Sequence, residues 1–200
     1  MYRFLLLTVF SLFIIQAKAQ TVADMFLNMP DSIIPYVSEK QRKEIVELKQ
    51  MDPDSIATIS NNFGKIKLTK LSDSTLTLLL SEHNIIELGK LEDNKFVFIN
   101  TYGAPLQESK CYIIDNTWKK ICVIDFSNID FIQKSDSVSE QEQKEMLQLI
   151  EFPLISASIA NNPDELILKL STPLLTTEDK KKFGALRLQR NVKWSDKTFN

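Results

Sequence analysis

Two cysteines and one histidine are the residues of this 200-residue chain whose type and spacing could carry chemistry. If Asn116-Thr117 forms a two-residue hairpin loop, Asp115 faces Trp118, Ile113 faces Lys120 and Cys111 faces Cys122. That count makes Cys111/Cys122 a hydrogen-bonded pair with Cα atoms about 5.5 Å apart. A disulfide spans that distance. The other reading is two buried free thiols. His83 lies in Ser81-Glu82-His83-Asn84, a stretch that reads as a loop. A nucleophile must be held by a base. Ser81 is two residues from His83, but a lone loop histidine is ordinarily solvated, so no catalytic residue is assigned.

Other chemistries lack material. Zinc wants several Cys or His at defined spacing. Calcium wants denser carboxylates than Asp52-Pro53-Asp54 or the stretch 125–136 offers. Neither a metal nor a cofactor is expected. Four glycines leave little for a phosphate-cradling loop. A carboxylate pair of the glycosidase kind stays open, because such pairs meet in space and not in sequence. The densest charge is Lys180-Lys181-Lys182 with Arg187, Arg190 and Lys193. It would suit an acidic polysaccharide or a phospholipid headgroup, or it is a solvated helix face. Tyr102, Tyr112, Trp118 and Trp194 are the aromatics that could line a recognition face, or be core.

The chain opens on an address. Arg3 gives a positive start, Phe4 to Ile15 an apolar run, and Ala17-Lys18-Ala19 a cleavage site. That is the pattern of a secretory signal peptide, residues 1–19. Cleavage would leave Gln20 first, which is not the cysteine a lipid anchor needs. Without Arg3 and Lys18, 22 basic residues face 26 acidic ones, a net charge of −4. A nucleic-acid partner would want a concentrated basic face, and no later stretch reaches transmembrane length.

The positioning elements follow from period and punctuation. Ser38 with Gln41 is a capping box ahead of Ile45, Val46, Leu48 and Met51, so Glu39–Met51 is predicted helical. Residues 52–62 read as polar turn. Lys65 to Leu71 alternates as a half-exposed strand. A meander follows over Leu76–Leu80, Ile85–Leu91, Phe96–Tyr102, Lys110–Ile114 and Lys119–Val123. Ser139 with Glu142 caps a second helix, Glu140–Ile150. Strands are predicted at Leu154–Ala160, Glu165–Ser171 and Ala185–Trp194, with a short helix near Glu178–Phe183.

Helix then strands thus occurs twice. Phe98–Thr101 leads to Ala104-Pro105-Leu106 as Leu166–Lys169 leads to Thr172-Pro173-Leu174. The expected fold is α+β: two helix-plus-meander repeats, 20–125 and 139–200, joined by a linker at 126–138. Antiparallel sheet is expected, with helices on one face. At fold level this is similar to the tandem helix-plus-sheet β-lactamase-inhibitor type, an analogy that transfers no function.

Two stretches carry a closer resemblance: Ala23-Asp24-Met25-Phe26-Leu27-Asn28-Met29-Pro30-Asp31-Ser32-Ile33-Ile34-Pro35-Tyr36, and Thr101 to Ser109 with Tyr112 and Asp115 to Lys119. Together they resemble a secreted family of Bacteroidales gut and oral bacteria, known as a domain of unknown function. Val37 stands where the family usually has another aliphatic. The resemblance implies an exported protein and assigns no catalytic residue. It also implies O-glycosylation at Asp-Ser followed by a small or aliphatic residue, which gives Ser32, Ser55, Ser74 and Ser137. The bland reading is that Asp-Ser favours turns.

The function expected is a non-catalytic binding module, periplasmic or on the cell surface, whose open sheet face meets an envelope protein or a glycan. The alternatives are a carboxylate-based envelope hydrolase and a structural subunit of a surface assembly.

Overall fold

The structure, a computed structural model, describes residues 20–92, 94–126, 139–148, 150, 153–172, 176–178, 181 and 188–200. Helix α1 spans Val22–Leu27, where Thr21 and Asp24 form a capping box, and buries Val22, Met25 and Phe26. The short apolar run Val22–Met29, which stops at Pro30, thus contains a single short helix. Helix α2 spans Glu39–Met51 behind the predicted Ser38/Gln41 box.

The buried stripe of α2 differs from the predicted one. It is Arg42, Ile45, Val46 and Lys49, at i, i+3, i+4 and i+7, while Leu48 and Met51 are exposed, Met51 by 83%. Two cations are buried because each grips carbonyl oxygens. Arg42 donates through Nη1 to Val37 O at 2.8 Å and Asp31 Oδ1 at 2.9 Å, and through Nη2 to Met29 O at 2.8 Å. Lys49 donates through Nζ to Pro53 O and Ser55 O. Helix α2 thus pins the irregular chain on either side of itself.

Seven strands follow in one antiparallel meander: β1 Ala57–Asn61, β2 Gly64–Leu71, β3 Thr75–Ser81, β4 Asn84–Glu92, β5 Lys95–Tyr102, β6 Glu108–Asp115 and β7 Lys120–Ile124, in that order. β1 lies in the stretch read as turn. Its signal is short, Ala57 and Ile59 alone pointing inward. After helix α3, Glu140–Gln148, four strands form a second sheet: β8 Leu154–Ile159, β9 Glu165–Ser171, β10 Gln189–Ser195 and β11 Thr198–Phe199, in the order β11-β10-β9-β8. Most of the predicted helix near 178–183, the Pro173-Leu174 turn and the first residues of the predicted last strand lie outside the described residues.

The class is α+β, with mostly antiparallel sheet. Alternate residues of the meander feed two separate cores. On one face Ile66, Leu68, Leu76, Leu78, Ile86, Leu88, Phe96 and Phe98 pack with α1, α2 and the loop through Ile34 and Val37. On the other, Val97, Ile99, Cys111 and Ile113 pack with Ala157, Leu166, Leu168 and Val192 of the second sheet. The chain therefore covers much of the sheet face that was expected to stand open. Among the described residues the first half contributes seven strands and the second four.

The contact of the second sheet is polar as well as apolar. β8 is an edge strand, and its outward backbone groups are met by side chains of the meander. Ala157 N donates to Ser109 Oγ at 2.8 Å, and Ala157 O accepts from Thr101 Oγ1 and Ser109 Oγ, each at 3.3 Å. Ile159 N donates to Glu87 Oε2 at 3.3 Å. At Gly89 a Cβ would stand 2.9 Å from both Ile159 Cδ1 and Pro163 Cβ, so glycine lets β8 and its turn approach this closely.

The cysteine pairing requires a correction. Cys111 faces Ile124, and Cys122 faces Ile113. Asp115 N donates to Lys119 O and Trp118 N to Asp115 O, while Trp118 sits at φ 66°. This is the three-residue loop with its last residue left-handed, not a two-residue loop, which slips the register by one. Asp115 Oδ1 holds it by accepting from Thr117 N, Thr117 Oγ1 and Lys119 N. A bulge between Ile113 and Ile114 slips it by one more. Diagonal neighbours lie about 7–8 Å apart, beyond disulfide reach. Both thiols are free, Cys111 buried and Cys122 exposed.

Candidate functional site

The two helices lie over β1 to β4, leaving the far end of the same sheet face to the rows at β4–β7. Cross-strand register sets those rows. Asn84, Tyr102 and Glu108 form one; Asn100 and Lys110 the next; Phe98, Tyr112 and Val123 a third. Tyr112 stacks on Phe98, ring centroids 6.4 Å apart, and carries Lys120 Nζ 4.1 Å from its own centroid. Tyr102 donates to Glu108 Oε2 at 3.3 Å and lies 5.7 Å from Lys110 Nζ. Asn84 donates through Nδ2 to Tyr36 Oη at 3.3 Å, and burial pushes the Tyr36 hydroxyl pKa up.

In the first two of these rows, Oδ1 of Asn84 and Oδ1 of Asn100 are both shielded from solvent and accept no hydrogen bond. Buried polar atoms normally find partners, so two idle acceptors beside two half-exposed tyrosines mark this strip out. Aromatic faces, amide oxygens and a lysine suit recognition of a polar ligand with apolar faces. Sequence reading missed Asn84 and Asn100. Their signal was available only as a polar residue at an inward position of a strand.

The four predicted aromatics divide. Tyr102 and Tyr112 share the strip. Trp118 adjoins it, edge-on to Phe98 at 5.6 Å, but its Nε1 donates to Met25 O at 2.9 Å and locks the β6–β7 turn to α1. Trp194 is elsewhere. It packs on Phe199 at 5.2 Å and donates to Glu92 Oε1 at 2.8 Å, which together with Lys95 holds the Glu92 carboxyl below its usual pKa.

His83 is exposed in the β3–β4 turn, where its backbone N–H donates to Ser81 Oγ at 3.2 Å and its carbonyl accepts from Gly103 N. Ser32 is exposed; Ser55 and Ser74 are half-buried, with Ser55 Oγ donating to Asp52 O; Ser137 lies outside the described residues. Of the basic run, Lys180, Lys182 and Arg187 also lie outside them. Among the described residues no cluster of three or more His, Cys, Asp or Glu could hold a metal ion, and no helix is long and apolar enough to cross a membrane. Burial raises the pKa of the Glu87 carboxyl to about 7. Desolvation outweighs the Ile159 N–H, Lys70 and Thr77.

A second open area lies on the opposite face, beyond the edge of the second sheet. It is a groove of about 280 Å³ lined by Phe63, Lys65, Lys67, Leu79, Leu80, Ser81 and Glu82.

This α+β chain belongs to a recognisable sequence class. The family described as "Protein of unknown function (DUF3256)" matches residues 14–199, and the chain belongs to that family. Among solved structures it is similar to a domain of an uncharacterized protein from Porphyromonas gingivalis W83, at 17% identity and a TM-score of 0.68. That match covers 90% of this chain and 98% of the other, and it establishes a shared fold. None of the curated proteins matches.

Proposed function

We propose that this chain is an exported, non-catalytic binding module of the cell envelope, and that the strip of Tyr102, Tyr112, Asn84, Asn100 and Lys110 receives a protein partner or a glycan. The observation that carries this reading is the pair of idle amide oxygens in the rows of two half-exposed tyrosines, at the end of the helix-side sheet face that the helices leave uncovered. Export rests on Arg3, the apolar run to Ile15 and Ala17-Lys18-Ala19. The hydrolase alternative calls for two acids facing one pocket, whereas Glu87 is engaged with the backbone of β8.

The test compares the chain with a Tyr102→Ala/Tyr112→Ala variant on a glycan array and in capture from envelope extract. Both rings are partly exposed at the sheet surface, so the variant should stay folded by circular dichroism. The reading expects a ligand held by the parent and lost by the variant. Equal binding by both would remove the strip from the account.

A further inference from the structure

We propose that the groove beside Phe63 binds an acidic polysaccharide, with Lys65 and Lys67 pairing its carboxylate or sulfate groups and Phe63 supporting a sugar ring. This site lies on the sheet face away from the helices and does not depend on the tyrosine strip.

The sequence sets up the arrangement. β2 alternates, so Ile66 and Leu68 turn to the helix-side core while Lys65 and Lys67 project from the other face. Two residues along a strand place their Cα atoms about 6.6–6.8 Å apart on one side. Lys67 sits directly opposite Leu79 of β3, which supplies an apolar floor. Phe63, in the β1–β2 turn, is 81% exposed. It is held there and not collapsed: its backbone N–H donates to Asn61 Oδ1 at 2.8 Å, and its ring meets Tyr36 edge-on at 5.8 Å.

Charge then selects the occupant. Arg42, Lys43 and Lys95 are ion-paired, whereas among the described residues no acid lies within pairing distance of Lys65 or Lys67. The whole chain is net negative, −2, so two adjacent unpaired ammonium groups on an open surface run against its average. The single acid of the lining, Glu82, stands in the β3–β4 turn. Neighbouring cations repel until an anion sits between them. An aromatic ring exposed beside them offers the flat apolar face that a pyranose ring covers. An acidic peptide would use the lysines and leave Phe63 idle, so the glycan fits more of the groove.

The experiment titrates the chain at low salt, by calorimetry or NMR, with a galacturonic acid hexamer, a heparin-derived hexasaccharide, neutral maltohexaose and hexa-aspartate. At least one acidic oligosaccharide should bind, weakening as salt rises, while maltohexaose does not. Lys65→Ala/Lys67→Ala and Phe63→Ala should each weaken binding by about tenfold or more, about 1.4 kcal/mol. Lys65→Arg/Lys67→Arg should retain it, and Tyr102→Ala/Tyr112→Ala should leave it unchanged, which separates this site from the strip. Absence of any acidic oligosaccharide binding, or binding that survives loss of both lysines, would overturn the proposal. Equal binding of hexa-aspartate with no effect of Phe63→Ala would overturn the glycan assignment.

Discussion

The carboxylate of Glu87 on β4 accepts the backbone N–H of Ile159 on β8, at 3.3 and 3.4 Å to its two oxygens, across the boundary between the two sheets. Seventy-two residues of chain separate the pair. The contact satisfies an edge-strand donor that burial would otherwise leave unpaired, and it places an ionisable group where its charge is costly.

That cost gives a pH signature. Burial raises the Glu87 pKa from 4.5 to about 7, against the opposing pull of Ile159 N–H, Lys70 and Thr77. A carboxyl raised in the folded state binds more protons folded than unfolded between those values, so its contribution to stability is full below about 4.5 and is lost as pH climbs through about 7. Glu87→Gln, which mimics the neutral acid, should flatten this loss. Chemical denaturation from pH 4 to 8 should show the variant gaining on the parent across that window, by at most about 3 kcal/mol. A constant difference across the range would show that Glu87 does not titrate there.

Arg42 should be the most sensitive polar residue of the helical layer. Its guanidinium is buried and holds Met29 O, Val37 O and the Asp31 carboxylate, in the segment that joins α1 to α2. Arg42→Met leaves two carbonyls without donors and should cost roughly 3 kcal/mol in urea denaturation. Asp31→Asn should cost under about 1 kcal/mol, because the Asp31 side chain is 72% exposed.

The two thiols should behave independently. Cys122 is exposed and Cys111 is buried, its pKa pushed far up by desolvation and by the Glu87 charge. A thiol-specific reagent should label one cysteine in the native protein and the second only on unfolding. Peptide mapping should find the first label on Cys122. Finding Cys111 and Cys122 joined in the native protein would contradict the register of β6 and β7.

Glycosylation, if it follows the family resemblance, should favour Ser32. It is exposed in the turn between α1 and α2, whereas Ser55 and Ser74 are half-buried. Intact mass of the protein isolated from its native host should exceed the unmodified mass, and Ser32→Ala should reduce the excess. An unmodified mass would end the idea.

Period and capping carried the reading of the fold. Ser38/Gln41 and Ser139/Glu142 mark helix starts that the structure keeps, and Glu165–Ser171 is a strand with the predicted bounds. What the chain does not announce is pairing at a distance. Lys49 and Arg42 look solvated in a helix of mean polarity, because the carbonyls that bury them come from other segments. The hairpin register failed on Trp118, an aromatic in a left-handed position usually given to glycine or asparagine, which Met25 O and Phe98 hold in place. The second sheet's seat on the meander failed to show because its strands read as another half-open layer, and Gly89, which admits it, is a single residue inside a strand. Tyr102 and Tyr112 were legible as surface aromatics; Asn84 and Asn100, which complete the strip, were not.

The strip itself can be tested in place. A photo-crosslinking amino acid at position 112, in the row next to Asn100 and Lys110, is compared in native cells with the same group at Glu47, which faces solvent on α2. The account predicts a discrete envelope adduct, protein or glycan, from position 112 and none from position 47. The same pattern of adducts from both positions, or none from position 112, would contradict it.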